Sequence, residues 1–216
     1  MINLTELQQD AIIELLNIGM SRAASALSKI VGEEVYVSIP CVDLLSRHEV
    51  AVLIMEKNSA RIIAVQQQFS GLFWGDAMLV FPEEKSLELV HPLIQDSFPV
   101  DIMAEMEREA FMEIGNIILN ACVGSISNVL NCEVNSSLPL LLQGSCTDIF
   151  DDQPDVQPEE KAAMFLRMDF ALQERSINGC VVCVVEENAI QVLRESIDHF
   201  LNHIWVRLFD NDNQVT

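Results

Sequence analysis

A glutamate followed three residues later by an asparagine occurs twice in fixed register along this chain. Glu14 and Asn17 return as Glu113 and Asn116, a shift of 99 residues. The same shift relates Asp10 to Glu109, Ser21 to Asn120 and Pro40 to Pro139. On an α-helix, residues at i, i+4, i+7 and i+11 fall on one stripe. Asp10, Glu14, Asn17 and Ser21 form one such stripe, and Glu109, Glu113, Asn116 and Asn120 form another. For one copy alone, the solvent side of an amphipathic helix is a sufficient account. Three features argue for a duplicated site instead. Neither stripe contains lysine or arginine. Asparagine, a mediocre helix former, takes the same place twice. A proline follows each asparagine by 23 residues.

Glutamate and asparagine three apart project side by side from one helical turn. The amide oxygen accepts a hydrogen bond and its NH2 group donates. Asparagine is a poor general base, yet it can hold a water in line with an electrophile and so lower the entropic barrier. The adjacent carboxylate can pair with a cation or accept a proton. No metal cluster, Ser-His-Asp arrangement or glycine-rich phosphate loop accompanies the pair. Such a pair suits chemistry whose metal and electrophile arrive on another molecule.

Other chemistry-bearing residues read as structural. Cys180-Val-Val-Cys183 lies in a strand-like run, where residues three apart point to opposite faces, and no second pair supplies the ligands that structural zinc needs. His199 and His203 are spaced i, i+4 on a predicted helix, but without a motif carboxylate they read as a surface pair. The acidic stretch from Asp148 to Glu160 lacks the glycine of an EF-hand calcium loop and reads as a solvated loop. No metal or cofactor of the chain's own is expected.

The chain has 216 residues, half of them hydrophobic, enough for a substantial core. Twelve basic residues stand against 33 acidic ones, a formal net charge of −21. That surface repels phosphate backbones and anionic membranes, so neither nucleic acid nor membrane is an expected partner. The charge either keeps the protein soluble or draws in a partner with a basic face. The N-terminus has no basic start or apolar run, and so no secretory signal. The most apolar helical stretch, 111–130, carries Glu113, Asn116, Asn120 and Asn128, which are costly in lipid. A cytoplasmic location is expected.

These stripes must be held by helices, and the sequence supplies them. The first is predicted over 4–30, with Thr5 and Gln8 as a capping box and Gly32 as its stop. Val35, Val37 and Ile39 alternate with polar residues in a strand that ends at Pro40. Extended segments are predicted at 50–56, 61–69 and 76–81, with Gly71 and Gly75 marking the turn. A helix follows Pro82, over 83–94. The order then repeats: a helix over 103–130, extended segments at 133–138, 162–172 and 180–185, and a helix over 187–206. Short strands joined mostly by turns favour antiparallel pairing and an α+β fold. One pseudo-twofold domain is expected over 1–208, built of repeats 4–98 and 103–206, with a frayed tail at 209–216.

The doubled pattern of an acid or serine, then Glu-x-x-Asn, then proline resembles the CheC/CheX/FliY family of chemotaxis response-regulator phosphatases. The segments ELLNIGMSRAASALSKIVG and EIGNIILNACVGSISNVL are similar to that family's signature helices, in the two-site CheC-like arrangement. Phe69-Ser70-Gly71 with Gly75 also fits the pattern. The resemblance implies an enzyme that removes phosphate from the phosphoaspartate of a CheY-like regulator. It implies that Asn17 and Asn116 position the attacking water and that Glu14 and Glu113 pair with the regulator's lysine. Asp10, Ser21, Glu109 and Asn120 would line the docking face, with Pro40 and Pro139 shaping the chain beside it. Magnesium would belong to the regulator, and a CheD-like receptor deamidase is a further implied partner. Glu109 departs from the usual Asp/Ser and leaves its contact open. The rival reading is a non-catalytic module that sequesters the phosphorylated regulator or acts through the deamidase.

Overall fold

The computed structural model describes residues 4–57, 61–71, 75–90, 100–151, 161–172 and 175–212. Helix α1 spans Glu6–Val31. The Thr5 hydroxyl accepts from the Gln8 N–H and the Gln8 side chain accepts from the Thr5 N–H, so each satisfies an orphan donor of the first turn. Gly32 ends the helix in the left-handed region at φ 77°, which costs a residue without Cβ little. Strand β1 (Val35–Leu45), helix α2 (Arg47–Lys57), strands β2 (Arg61–Gly71) and β3 (Gly75–Pro82) and helix α3 (Glu83–Val90) complete the first half. The second half repeats the order: α4 (Val100–Leu130), β4 (Val134–Ser136) and β5 (Leu140–Ser145), α5 (Cys146–Asp151), β6 (Lys161–Leu172), β7 (Arg175–Glu186) and α6 (Glu187–Asp212).

All strands join one antiparallel sheet in the order β1-β6-β7-β3-β2-β4, with β5 also on β2. The order reads the same from both ends once β4 and β5 are taken as the counterpart of β1. A pseudo-twofold axis therefore passes between β3 and β7. The fold is α+β, with the two repeats interleaved in one sheet.

The sheet is covered on both faces. Helices α1, α4 and α6 pack on one, where Leu16, Met20, Phe111, Ile114, Ile118 and Leu119 are buried against Val65, Leu79 and Phe81. Phe81 and Phe111 meet edge to face, centroids 5.9 Å apart. Burying each such side chain stabilises by about 2–3 kcal/mol. Helices α2 and α5 pack on the other face through Val50, Ile54, Cys146 and Phe150. By length and composition α4 is apolar enough to cross a membrane. Here it is a core helix lying on the sheet and on α1.

Several expectations are corrected. The segment 50–56 is not extended but lies in α2. Its β-branched run misleads, whereas the Ser46-x-x-Glu49 cap decides: Ser46 Oγ accepts from the Glu49 N–H and the Glu49 carboxylate accepts from the Ser46 N–H. Those bonds also hold the Glu49 carboxyl below its usual range. Ser145, at the matching place in the second half, caps α5 by accepting from the Asp148 N–H. The start of the predicted loop at Asp148 is thus helical, and 152–160 lies outside the described residues. The strands are not short: β1, β2, β6 and β7 span 11 or 12 residues each. β7 reaches back to Arg175 because β6 pairs along its polar end. Helix α4 begins at Val100 and α6 continues to Asp212, so the tail expected from 209 opens inside a helix. Of the helix predicted over 83–94, the described part ends at Val90.

Cys180 and Cys183 do point to opposite faces of β7, each into a different core cluster. Burial pushes both thiols up to about 12, which leaves them protonated and inert at neutral pH. His199 and His203 both fall on α6, although the side chain of His203 lies outside those described. Among the described residues, no three His, Cys, Asp or Glu side chains come together as a metal site.

Candidate functional site

The two polar stripes lie on α1 and α4 as their spacing requires. Asp10, Glu14 and Ser21 are exposed on α1, as are Glu109, Glu113 and Asn120 on α4, and both asparagines are half-buried. No hydrogen bond or ion pair among the described residues engages Glu14 or Glu113. Each stripe therefore offers an open carboxylate beside an amide already held by the protein.

What holds the amide is a break in an edge strand. In the first half, β1 pairs with β6 up to Ser38–Asp169 and resumes at Cys41–Arg167, so Ile39 and Pro40 bulge opposite Met168. Proline has no N–H for a ladder and is tolerated at such an edge. In the second half, the Ser137 N–H donates to the Gln68 carbonyl, and β5 resumes at Leu140–Gln66. Leu138 and Pro139 therefore bulge opposite Gln67. The repeated prolines mark the same break on the two edges of the sheet, which explains their shared distance from the asparagines.

The two asparagines meet these breaks differently. The Asn17 Nδ2 donates to the Ile39 carbonyl at 3.0 Å, and the Ile39 N–H donates to Asn17 Oδ1 at 2.8 Å. Asn17 thus closes on a buried backbone unit as a neighbouring strand would. Asn116 makes no such clamp. Its Oδ1 accepts from Gln67 Nε2 at 2.9 Å and from Asn120 Nδ2 at 2.8 Å. Ser21, the counterpart of Asn120, only donates back to the Asn17 backbone carbonyl. Leu138, the counterpart of Ile39, is left 88% exposed, where Ile39 is 0% exposed.

Packing accounts for the difference. Gly115 stands where the first half has Leu16. A Cβ on Gly115 would lie 2.5 Å from Val65, so only glycine lets α4 lie this close to β2. Two residues along that strand, on the same face, Gln67 then reaches Asn116. Leu16 fills the matching space in the first half, and the residue opposite the break is the apolar Met168, which has no amide to offer. Gln67 is the site residue that the sequence reading missed. Its signal was available: Ile63, Val65, Gln67 and Phe69 form the core-facing side of β2, and one of the four is polar.

No family model matches the chain. A candidate CheY-P phosphatase of Halobacterium salinarum, CheC1, is 24% identical over 166 residues, covering 76% of this chain and 83% of the relative. The crystal structure of Thermotoga maritima FliY superposes with a TM-score of 0.70 at 20% identity, covering 91% of this chain and 98% of that one. The chain is similar in sequence to a CheC relative and shares the FliY fold. The FliM middle domain of Helicobacter pylori shares the fold as well, with a TM-score of 0.60 at 12% identity over 89% of this chain and 99% of that one. Within the CheC/CheX/FliY fold, the doubled Glu-x-x-Asn sits on the two long helices, each beside an interrupted edge strand.

Proposed function

We propose that this protein hydrolyses the phosphoaspartate of a CheY-like response regulator in chemotaxis signalling, in the cytoplasm. The observation that carries the reading is the twice-built arrangement of an open carboxylate one helical turn from an asparagine of fixed orientation. The helix stripe docks over the regulator's phosphorylated site. An asparagine amide holds a water against the phosphorus. The water oxygen forms the new P–O bond, the bond to the aspartyl oxygen breaks, and inorganic phosphate and the free carboxylate leave. Glu14 or Glu113 pairs with the regulator's lysine and orients the complex. Magnesium stays on the regulator, where it neutralises the phosphoryl charge. An acyl phosphate is already reactive, so positioning and charge neutralisation supply much of the acceleration. The acidic surface, with its net charge of −21, steers a partner with a basic face.

A second reading has its own observation. Asn17 has both ends of its amide on Ile39, which suits a docking site that binds the regulator without turnover. A CheD-like deamidase remains a proposed further partner. Phosphate release from a phosphorylated CheY-like regulator separates the readings. Wild type should speed release, and Asn17→Ala/Asn116→Ala should return it to the regulator's own rate while still folding. Full activity in the double variant would sink the phosphatase mechanism. Tight binding without acceleration by wild type would establish the binding module.

A further inference from the structure

The geometry points to Gln67 as a positioning residue that presets Asn116, and so makes the second site the readier of the two; this rests on the phosphatase reading. Gln67 is 3% exposed on β2, far from Asn116 in sequence. Its Nε2 donates both to Asn116 Oδ1 at 2.9 Å and to the Ser137 carbonyl at 3.0 Å. The Ser137 carbonyl can only accept, so it fixes which end of the Gln67 amide faces it. Nε2 therefore also faces Asn116, and the atom it meets there must be the oxygen. Asn120 adds a second donor to that oxygen. Both lone pairs of Asn116 Oδ1 are thereby used, and its Nδ2 is turned away with both hydrogens available among the described residues. A water or phosphoryl oxygen accepting from Nδ2 keeps a lone pair for reaction or coordination.

Gln67 Oε1 is itself buried with no hydrogen-bond partner among the described residues. A buried acceptor left unmet is costly, and a fold that keeps one here keeps the amide for what its other end does. Asn17 differs in kind. Met168 offers it nothing, and the Ile39 backbone takes one of its two Nδ2 hydrogens, so Asn17 has one N–H left for a docked regulator where Asn116 has two.

The test uses Asn17→Ala as background, so that turnover reports on the second site. Phosphate release from a CheY-like regulator charged with acetyl phosphate is measured for that variant and for Asn17→Ala/Gln67→Met. Methionine matches the residue that the first half tolerates at this place. The added Gln67→Met should lower kcat about tenfold and leave KM within about twofold, because orientation rather than docking is lost. An unchanged kcat would overturn the inference. If the methionine variant does not fold, Asn120→Ala, which is exposed, removes the other donor. It should lower kcat by about threefold, and an equal kcat overturns the inference. The side-chain amide resonances of Asn116 give a readout independent of activity. They should shift in Gln67→Met, and resonances that stay in place overturn the positioning role. A wild type that does not accelerate release defeats the phosphatase reading, while the resonances still decide whether Gln67 orients Asn116.

Discussion

The two halves of this molecule carry the same motif but do different work with its asparagine. In the first half Asn17 is part of the structure, since it satisfies the backbone of a residue that is 0% exposed at a strand break. In the second half the break is managed by Gln67 and Ser137, and Asn116 is relieved of that duty. Duplication preserves a motif's positions more readily than its hydrogen bonds. One small residue, Gly115 in place of Leu16, is enough to change which element an asparagine touches.

The largest expected effect is a crossed pair of losses. Asn116→Ala should cost about tenfold or more in phosphate release, the equivalent of roughly 1.4 kcal/mol of transition-state stabilisation. Its cost to the fold should be small, because Gln67 keeps the Ser137 carbonyl. Asn17→Ala should do the reverse. It strips partners from both the N–H and the carbonyl of buried Ile39, and should lower unfolding stability by about 2 kcal/mol. Denaturant unfolding and phosphate release on the two single variants measure the crossing. Equal stability losses would erase the distinction between a structural and a preset asparagine.

Gly115→Ala should come next. The added methyl meets Val65 at 2.5 Å, and overpacking of this kind costs roughly 1–2 kcal/mol. It also pushes α4 away from β2, which lengthens the reach from Gln67 to Asn116. Activity of the second site should fall with stability. Leu16→Ala should lower stability by creating a cavity, yet leave Asn116 in place. A Gly115→Ala protein with full activity in an Asn17→Ala background would show that the close approach of α4 is not what sets the second site.

Much of this was legible in the sequence, for definite reasons. The two long helices, the Thr5/Gln8 cap and the polar stripes all follow from local periodicity and capping chemistry. The Ser46-x-x-Glu49 cap was equally local, but the β-branched run after it was read as extended because that run in isolation fits a strand. The strand breaks were half-legible: the prolines announced them, but nothing local says what fills the gap. The partners of Asn17 and Asn116 lie 22 and 49 residues away along the chain. Whether an asparagine meets a backbone unit or a glutamine depends on how closely its helix lies on the sheet. The net charge argues only about the sign of a partner's surface, whereas the choice between the two sites required the packing.

The smallest expected effect concerns the residue that the second break leaves outside. Ile39 is sealed by Asn17, whereas its counterpart Leu138 is 88% exposed beside Asn116 and next to Pro139. A large apolar side chain this exposed on a bulge gains little from the described residues, so Leu138→Ser should leave the unfolding midpoint unchanged. A docked regulator would cover it, and truncating one partly central apolar contact costs about 1 kcal/mol, or roughly fivefold in affinity. KM for the phosphorylated regulator should rise by about that factor with kcat intact, the reverse of what Gln67→Met should do. Ile39→Ser should instead damage the fold before any effect on docking can be read. If Leu138→Ser changes neither KM nor binding, the regulator meets the second site without touching the bulge. The exposed leucine would then be only what remains when a strand break is closed by a glutamine rather than by the asparagine beside it.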